Sequence, residues 1–151
     1  MRVGILSDTH GLLRPEVLEL LAGSDRILHA GDVGKPEVLA RLRQLAPVEA
    51  VRGNVDTEPE LVRLPGTLAG HLGEVPFRLV HSREEVAEGW LRAARLVVYG
   101  HSHRPEISWH GGCLLLNPGA CGPRRFQLPL TVARVTVAEG GRLVPEVLAV
   151  E

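Results

Sequence analysis

The sequence predicts an α/β fold in which two packed β-sheets are flanked by helices. In the first half, short apolar runs alternate with amphipathic segments of about ten residues, which is typical of strands and helices in alternation. In the second half, glycine-containing turns separate pairs of apolar segments, which is typical of β-hairpins. The chain has 151 residues, of which 44% are apolar, and it shows no repeat or linker. Residues 1–151 are therefore predicted to form a single domain.

The first half is predicted to form three parallel strands with a helix in each connection. Strands are predicted at residues 2–6, 26–29 and 48–51, where apolar runs end in small or polar residues. Helices are predicted at residues 14–22 and 36–45, where apolar side chains recur at helical spacing. Such alternation is typical of right-handed βαβ units and a parallel sheet.

The second half is predicted to form hairpins around three glycine-containing turns, which are Gly73-Glu74, Gly111-Gly112 and Gly140-Gly141. The flanking strands are predicted at residues 67–72 and 75–81, 106–109 and 113–116, and 131–137 and 142–148. A helix is predicted at residues 83–94 and a strand at residues 96–99. A parallel first half and a hairpin-rich second half predict two sheets that pack together with helices outside.

Polar residues of a few recurring types follow five of the predicted strands. The segments are Asp8-Thr9-His10, Gly31-Asp32, Gly53-Asn54-Val55-Asp56, His81 and Gly100-His101-Ser102-His103. Because ligands bind outside the carboxyl ends of strands in open α/β sheets, these segments are expected to converge. Carboxylates and imidazoles crowded into one cleft would be costly without a cation. The sequence therefore predicts a metal site.

The spacing within these segments indicates how they reach one site. Asp8 and His10 are two residues apart, so an extended backbone would direct both side chains to the same side, and the two histidines of the last segment repeat this spacing. Glycines at positions 31, 53 and 100 are expected to let the chain leave each strand through conformations that other residues resist. Oxygen and imidazole donors without thiolate suit Mn²⁺, Fe, Zn²⁺, Co²⁺ or Ni²⁺. The donors are too many for one tetrahedral ion, so two adjacent ions are expected.

The ordered motifs DTH, GD, GNVD, a lone histidine at a strand end and GHSH resemble those of the calcineurin-like metallophosphoesterases. The length of the chain and the residues of its motifs are similar to those of the small bacterial and archaeal phosphodiesterases of that superfamily. The resemblance extends over residues 2–122. It implies a four-layer αββα sandwich of two mixed sheets flanked by helices. It also implies a metal-dependent phosphoesterase, in which a metal-bridging hydroxide attacks phosphorus in line with the leaving group.

The resemblance also implies a ligand set. It places Asp8, His10 and His103 on one metal ion, places Asn54, His81 and His101 on a second, and makes Asp32 the bridge. Asp8, His10, Asp32 and Asn54 are thereby expected to be catalytic as well as metal-binding. The expected cofactors are two divalent transition metal ions, manganese first, with nickel, iron, zinc or cobalt as alternatives.

Five positions in or near these motifs bear on the reaction. Larger members of the family carry a histidine at the position of Val55, and that histidine protonates the leaving oxygen. Valine has no proton to donate. We therefore expect diesters or activated aryl esters to be cleaved faster than alkyl monoesters. Asp56 either orients a histidine ligand or is an ordinary turn residue. Asn54 is also expected to contact the substrate. Arg124 and Arg125 either bind its phosphate as guanidinium forks or form a solvated loop pair.

Charge and hydropathy limit the partners. Seventeen basic and eighteen acidic residues give a net charge of −1, so no broad basic surface is expected for extended nucleic acid, and a nuclease is the less favoured alternative. The expected substrate is a small phosphodiester or phosphate ester. No apolar run is long enough for a membrane span or a signal peptide, so a cytoplasmic protein is expected. A non-catalytic protein-binding scaffold of the same fold is the other alternative, and homo-oligomerisation is left open.

Overall fold

The computed structural model describes residues 1–150, which form ten strands in two mixed sheets. The strands are β1 (Arg2–Leu6), β2 (Arg26–His29), β3 (Val48–Ala50), β4 (Thr67–Leu72), β5 (Val75–Val80), β6 (Leu96–Val98), β7 (Glu106–His110), β8 (Cys113–Asn117), β9 (Thr131–Val137) and β10 (Leu143–Ala149). The first sheet has the order β10-β9-β1-β2-β3 and the second has the order β4-β5-β6-β8-β7. Strands β1, β2 and β3 are parallel to one another, as are β5, β6 and β8.

Short helices cover the outer face of each sheet. Within residues 1–150 the α-helices are α1 (Pro15–Leu21), α2 (Pro36–Leu42), α3 (Pro59–Val62) and α4 (Trp90–Ala93). The first three begin at a proline, whose fixed φ and missing N–H suit the first helical turn. Helices α1 and α2 pack on the first sheet, and α4 packs on the second. The predicted α/β fold of four layers, αββα, is confirmed.

Alternating side chains of the strands fill two separate layers of core. In β2, Leu28 packs between the sheets, whereas Ile27 packs under α1 and α2. Phe77 of β5 and Leu114 of β8 complete the layer between the sheets, and all four side chains are buried. Burial of each such side chain stabilises the fold by about 1.5–3 kcal/mol. The strands that carry the site are therefore fixed from both faces.

The strand order brings five loops to one end of the sandwich. The backbone N–H of Asp8, after β1, donates to the carbonyl of Gly31, after β2, at 3.0 Å. The backbone N–H of Gly100, after β6, donates to the carbonyl of His81, after β5, at 2.9 Å. The ring of His81 in turn contacts the carbonyl of Ala30 at 2.7 Å, which joins the two sheets. The predicted convergence of the polar segments arises from these contacts.

Most predicted elements occur with small shifts of their ends, but the helix predicted at residues 83–94 is wrong. Its first part is a single 3₁₀ turn, Arg83–Glu85, that Ser82 and Glu85 cap reciprocally, and only α4 of the remainder is helical. The backbone at Val86 is extended, which separates the two turns. The short helix α3 was not predicted. No helix within residues 1–150 is long and apolar enough to span a membrane.

Candidate metal centre

Six of the predicted ligands form two adjacent groups at the carboxyl ends of the strands. The first ligand group is Asp8, His10 and His103, and the second ligand group is Asp32, His81 and His101. Within each group, the three ligand atoms all lie within 4.8 Å of one another. Side chains from separate loops thus converge on two neighbouring points, as ligands of a cation do.

Asp32 lies between the two groups. Its Oδ2 is 3.2 Å from Nε2 of His81 and 3.6 Å from Nε2 of His10. In the first ligand group, Oδ1 of Asp8 is 3.6 Å from Nε2 of His10 and 3.3 Å from Nε2 of His103. A single oxygen of Asp32 therefore faces a histidine of each group, which is the position that a bridging carboxylate occupies.

Asn54 adds an amide oxygen to the second ligand group. Its Oδ1 lies 3.1 Å from Nε2 of His81. Asn54 follows Gly53 in the loop after β3, so it reaches the group from a third loop of the first sheet. The structure thus brings all seven predicted ligands to one place.

Two buried atoms in the first ligand group lack a hydrogen-bond partner among residues 1–150. They are Oδ1 of Asp8 and Nε2 of His10. A buried, unpartnered polar atom costs about 1–3 kcal/mol, and more when it is charged. Both atoms are ligand atoms of the same group, so a cation bound there would satisfy both. Oxygen and nitrogen donors without sulfur fit a divalent transition metal at this position.

Each aspartate is held through one oxygen while the other faces the site. Oδ2 of Asp8 accepts hydrogen bonds from the hydroxyl of Ser7 at 2.5 Å and from the backbone N–H of His101 at 3.0 Å. Oδ1 of Asp32 accepts the backbone N–H of Val55 at 3.0 Å. These contacts fix the direction of Oδ1 of Asp8 and Oδ2 of Asp32, the oxygens that approach the histidines.

The ring of His81 is oriented by a backbone carbonyl. Its Nδ1 lies 2.7 Å from the carbonyl oxygen of Ala30. Because a carbonyl only accepts, Nδ1 carries the proton, and Nε2 of the neutral ring is left with its lone pair toward the site. Burial lowers the pKa of His81, but the adjacent Asp32 carboxylate and the Ala30 carbonyl favour its protonated form, outweigh burial and raise that pKa above its ordinary value.

The two aspartates remain ionised despite their burial. Burial alone would raise the pKa of Asp8, but the adjacent imidazoles of His10 and His103 and the hydroxyl of Ser7 hold it below the ordinary value. Burial likewise opposes ionisation of Asp32, and the adjacent imidazole of His81 contributes most to lowering that pKa. The site therefore presents concentrated negative charge, which favours a divalent cation.

Five of the ligand residues adopt a left-handed backbone, and for Asp8, His10, His101 and His103 this corrects the extended geometry predicted for them. Their φ values are +55° at Asp8, +47° at His10, +55° at Asp32, +72° at His101 and +63° at His103. This region is uncommon for residues other than glycine, and it is costly enough to persist only where the surroundings enforce it. Contacts between loops do so: the backbone N–H of His10, for example, donates to the carbonyl of Asp32 at 2.9 Å.

Two of the three glycines singled out in the sequence are needed because a side chain would not fit there, not because of their backbone conformation. Of the three, only Gly31 has a positive φ, +101°. A Cβ at Gly53 would overlap Oδ1 and the backbone nitrogen of Asp32, and a Cβ at Gly100 would overlap Oγ of Ser7. The prediction of unusual backbone at positions 53 and 100 is therefore wrong, and close approach to the aspartate loops is the physical reason for glycine there.

Comparison with known proteins identifies the family of the chain. The sequence profile of the calcineurin-like phosphoesterase superfamily domain matches residues 1–140. A relative in Methanothermobacter thermautotrophicus, described as a probable metallophosphoesterase, is 32% identical over 98% of this chain and 92% of its own. The chain belongs to the calcineurin-like phosphoesterase superfamily.

Solved structures share the phosphoesterase fold. An archaeal phosphodiesterase superposes with a TM-score of 0.81 at 23% identity, covering 98% of this chain and 100% of its own. Vacuolar Protein Sorting 29 (Vps29) from Cryptosporidium parvum superposes with a TM-score of 0.78 at 20% identity, covering 98% and 97%. At this level of identity the likeness establishes the fold of the chain alone.

Asp56 forms no hydrogen bond to a histidine within residues 1–150, so the structure does not support the first of its two predicted roles, the orientation of a histidine ligand. Its carboxylate accepts the backbone N–H groups of Val33 at 3.2 Å, Gly34 at 2.9 Å and Gly53 at 2.8 Å. Asp56 is buried, and it therefore joins the loop that carries Asp32 to the loop that carries Asn54.

Arg124 and Arg125 lie in the exposed loop between β8 and β9. Neither lines the pocket that opens beside the second ligand group. Contact of either guanidinium with the substrate phosphate stays a prediction.

Sequence reasoning did not assign a role to the residues that support the ligands. Ser7 binds Asp8, and the amide of Asn117 donates to the carbonyl of Gly100 at 3.2 Å and to the hydroxyl of Ser102 at 3.0 Å. Asn117 is fully buried and so fixes the loop that carries His101 and His103. The sequence feature that could have identified Asn117 is its place as a polar residue at the end of an otherwise apolar strand. The same feature identified the ligands themselves.

Proposed function

We propose that the protein is a binuclear, metal-dependent phosphodiesterase acting on a small phosphodiester. The observation that supports the proposal most strongly is the pair of adjacent ligand groups, in which an oxygen of Asp32 faces a histidine of each group. Two buried ligand atoms of the first group have no hydrogen-bond partner within residues 1–150. Membership of the phosphoesterase superfamily and the likeness to an archaeal phosphodiesterase support it.

In this proposal the first ligand group and the second ligand group would each hold one ion, Asn54 would add a ligand to the second group, and Asp32 would be shared by both ions. The ions would bind phosphate oxygens and lower the pKa of water, which makes a hydroxide nucleophile available near neutral pH. The protein itself keeps the ligands in place: Ser7 and the His101 N–H hold Asp8, the Val55 N–H holds Asp32, and the Ala30 carbonyl holds His81. This preorganisation avoids rearrangement of the ligands during the reaction.

The proposed preference for activated leaving groups rests on Val55. This residue is 41% exposed, follows Asn54 in the chain and has no side-chain proton to donate. A leaving oxygen must then take its proton from water, which favours substrates whose leaving group is stable without one. We therefore propose faster cleavage of activated aryl esters than of alkyl monoesters, and the proposed preference for diesters rests on the likeness to an archaeal phosphodiesterase.

The test is hydrolysis of bis-p-nitrophenyl phosphate and p-nitrophenyl phosphate by protein stripped of metal, with Mn²⁺, Ni²⁺, Fe²⁺, Zn²⁺, Co²⁺ or Mg²⁺ restored singly. We expect transition metals to restore diester cleavage, with Mn²⁺ most effective. Faster monoester than diester turnover would contradict the preference. No hydrolysis with any metal, in protein shown to be folded, would contradict the enzymatic proposal.

A protein-binding scaffold is the second candidate, and the likeness of the fold to a Vps29 crystallised in complex with a cyclic peptide supports it. The variant Asp8→Ala separates the two candidates because it removes a ligand oxygen of the first ligand group. An enzyme would lose hydrolysis, whereas a scaffold would retain partner binding. The cytoplasmic location, homo-oligomerisation and exclusion of extended nucleic acid stay predictions.

A further inference from the structure

A pocket of about 510 Å³ opens beside the second ligand group. One wall consists of Asn54, His81 and His101, and the rest includes Arg52, Ser82 and Glu84. The volume is in the range of pockets that bind small molecules, about 300–1,000 Å³. Arg52 and Glu84 belong to neither ligand group, so holding metal does not explain their position.

Arg52 is anchored with most of its hydrogen-bonding capacity unused. Its Nη1 donates to the carbonyl of Val62 at 2.8 Å, and its backbone N–H donates to the carbonyl of Pro65 at 2.9 Å. It forms no ion pair with any carboxylate of residues 1–150. The remaining guanidinium N–H groups are donors in a fixed planar arrangement at the edge of the pocket. Such a group suits a phosphate or sugar oxygen.

The pocket is also lined by two carboxylates, those of Glu84 and Glu85. Glu85 is committed locally, because its Oε2 accepts the backbone N–H of Ser82 at 3.3 Å. Glu84, at the neighbouring position, is exposed, lines the pocket and forms no hydrogen bond or ion pair through its carboxylate within residues 1–150. Two carboxylates beside one guanidinium disfavour a second phosphate in this pocket and suit hydroxyl donors.

Building on the proposed phosphodiesterase activity, we propose that this pocket binds one ester group of the substrate, and that this group is neutral and bears hydroxyls, as a nucleoside does. Arg52 donates to the oxygens of that group, and Glu84 accepts from its hydroxyls. The ligand groups then hold the phosphate while the pocket selects what is attached to it.

The test uses TpT, two thymidines joined by one phosphodiester, as a competitive inhibitor of bis-p-nitrophenyl phosphate hydrolysis. Both ester groups of TpT are nucleosides, so the result does not depend on which one enters the pocket. Inorganic phosphate, which lacks an ester group, is the second inhibitor. We expect Arg52→Gln to raise the Ki of TpT about tenfold more than the Ki of phosphate, and Glu84→Ala to raise it about threefold more.

Arg63→Gln is the matched control, because it removes an exposed guanidinium that does not line the pocket. It should leave both inhibition constants unchanged. Parallel changes for TpT and phosphate, or no change, in both pocket variants would overturn the proposal. If the wild-type protein cleaved no ester with any metal, the proposed function would fail instead. Calorimetric titration of TpT into wild type and Arg52→Gln would then test the pocket by itself, and equal affinities would overturn it.

Discussion

Asp56 accepts the backbone N–H of Gly34 at 2.9 Å, although the two residues belong to loops that follow different strands. The same carboxylate accepts the N–H of Gly53 at 2.8 Å in its own loop. One buried side chain thus sets the distance between the loop of Asp32 and the loop of Asn54. Asp56 is therefore a positioning residue: it binds the backbone of the loops that hold the ligands and forms no hydrogen bond to a ligand side chain within residues 1–150.

We expect Asp56→Asn to weaken metal binding and to lower the free energy of unfolding by about 2 kcal/mol, because an amide cannot accept all three backbone N–H groups that the carboxylate accepts. Urea denaturation of metal-free protein measures the stability, and calorimetric titration with Mn²⁺ measures the affinity. The control is Asp25→Asn, whose exposed carboxylate accepts only the backbone N–H of Arg2. Unchanged Mn²⁺ affinity in Asp56→Asn would show that the loops hold their positions without it.

Gly100→Ala should lower hydrolysis at least about tenfold, because the added Cβ would meet Oγ of Ser7 and come within 2.9 Å of Oδ2 of Asp8. Displacing either atom turns the Asp8 carboxylate. Gly112→Ala is the matched control, since a Cβ there meets nothing within 4 Å. Steady-state kinetics with bis-p-nitrophenyl phosphate makes the comparison, and equal activity of both variants would contradict the steric argument.

The ligands were predictable from sequence for two reasons. They lie at the ends of apolar strands, and their side chains are of the types that bind metal ions. Asp32 and His81 follow apolar runs whose ends any parallel sheet would bring together. Strands β1 and β2 were predicted with their observed bounds because a buried parallel strand is a continuous apolar run. The second sheet was harder: its hairpins were predicted, but the parallel pairing of β6 with β8 depends on contacts between distant segments.

What escaped prediction depends on contacts between loops. The left-handed backbone of Asp8 and His10 follows from hydrogen bonds to the loop after β2. No local sequence pattern predicts these hydrogen bonds. The pocket at Arg52 is assembled from the loops after β3, β5 and β6, and the guanidinium of Arg52 is held by the carbonyl of Val62. Local propensity describes such segments poorly because the fold, not the residue type, enforces their conformation.

His29 should make the protein sensitive to mild acid. It is fully buried, its Nδ1 accepts the backbone N–H of Gly31 at 3.1 Å, and its Nε2 lies 3.1 Å from the hydroxyl of Thr9. Burial lowers its pKa from 6.5 to about 4. The unfolded chain therefore binds a proton first as the pH falls, so stability is complete above pH 6.5 and declines toward pH 4, by up to about 3 kcal/mol.

Urea denaturation of metal-free protein between pH 7 and pH 4.5 measures this effect. In His29→Gln the stability should be lower at pH 7 but should fall less steeply as the pH decreases. The exposed His110 supplies the control, because His110→Gln should retain the wild-type slope. Parallel profiles for His29→Gln and wild type would contradict the assignment of the acid sensitivity to His29.

Val55→His should change which leaving groups the proposed enzyme tolerates. The side chain at this position is 41% exposed and its backbone N–H already binds Asp32, so an imidazole can be added without removing a site contact. A proton donor matters for an alkoxide leaving group and hardly at all for p-nitrophenolate. We therefore expect the rate on TpT to rise by about 10²-fold relative to the rate on bis-p-nitrophenyl phosphate. Val55→Gln is the control because it adds a polar side chain that does not titrate near neutral pH, and an equal gain in both variants would mean that polarity rather than proton donation is responsible.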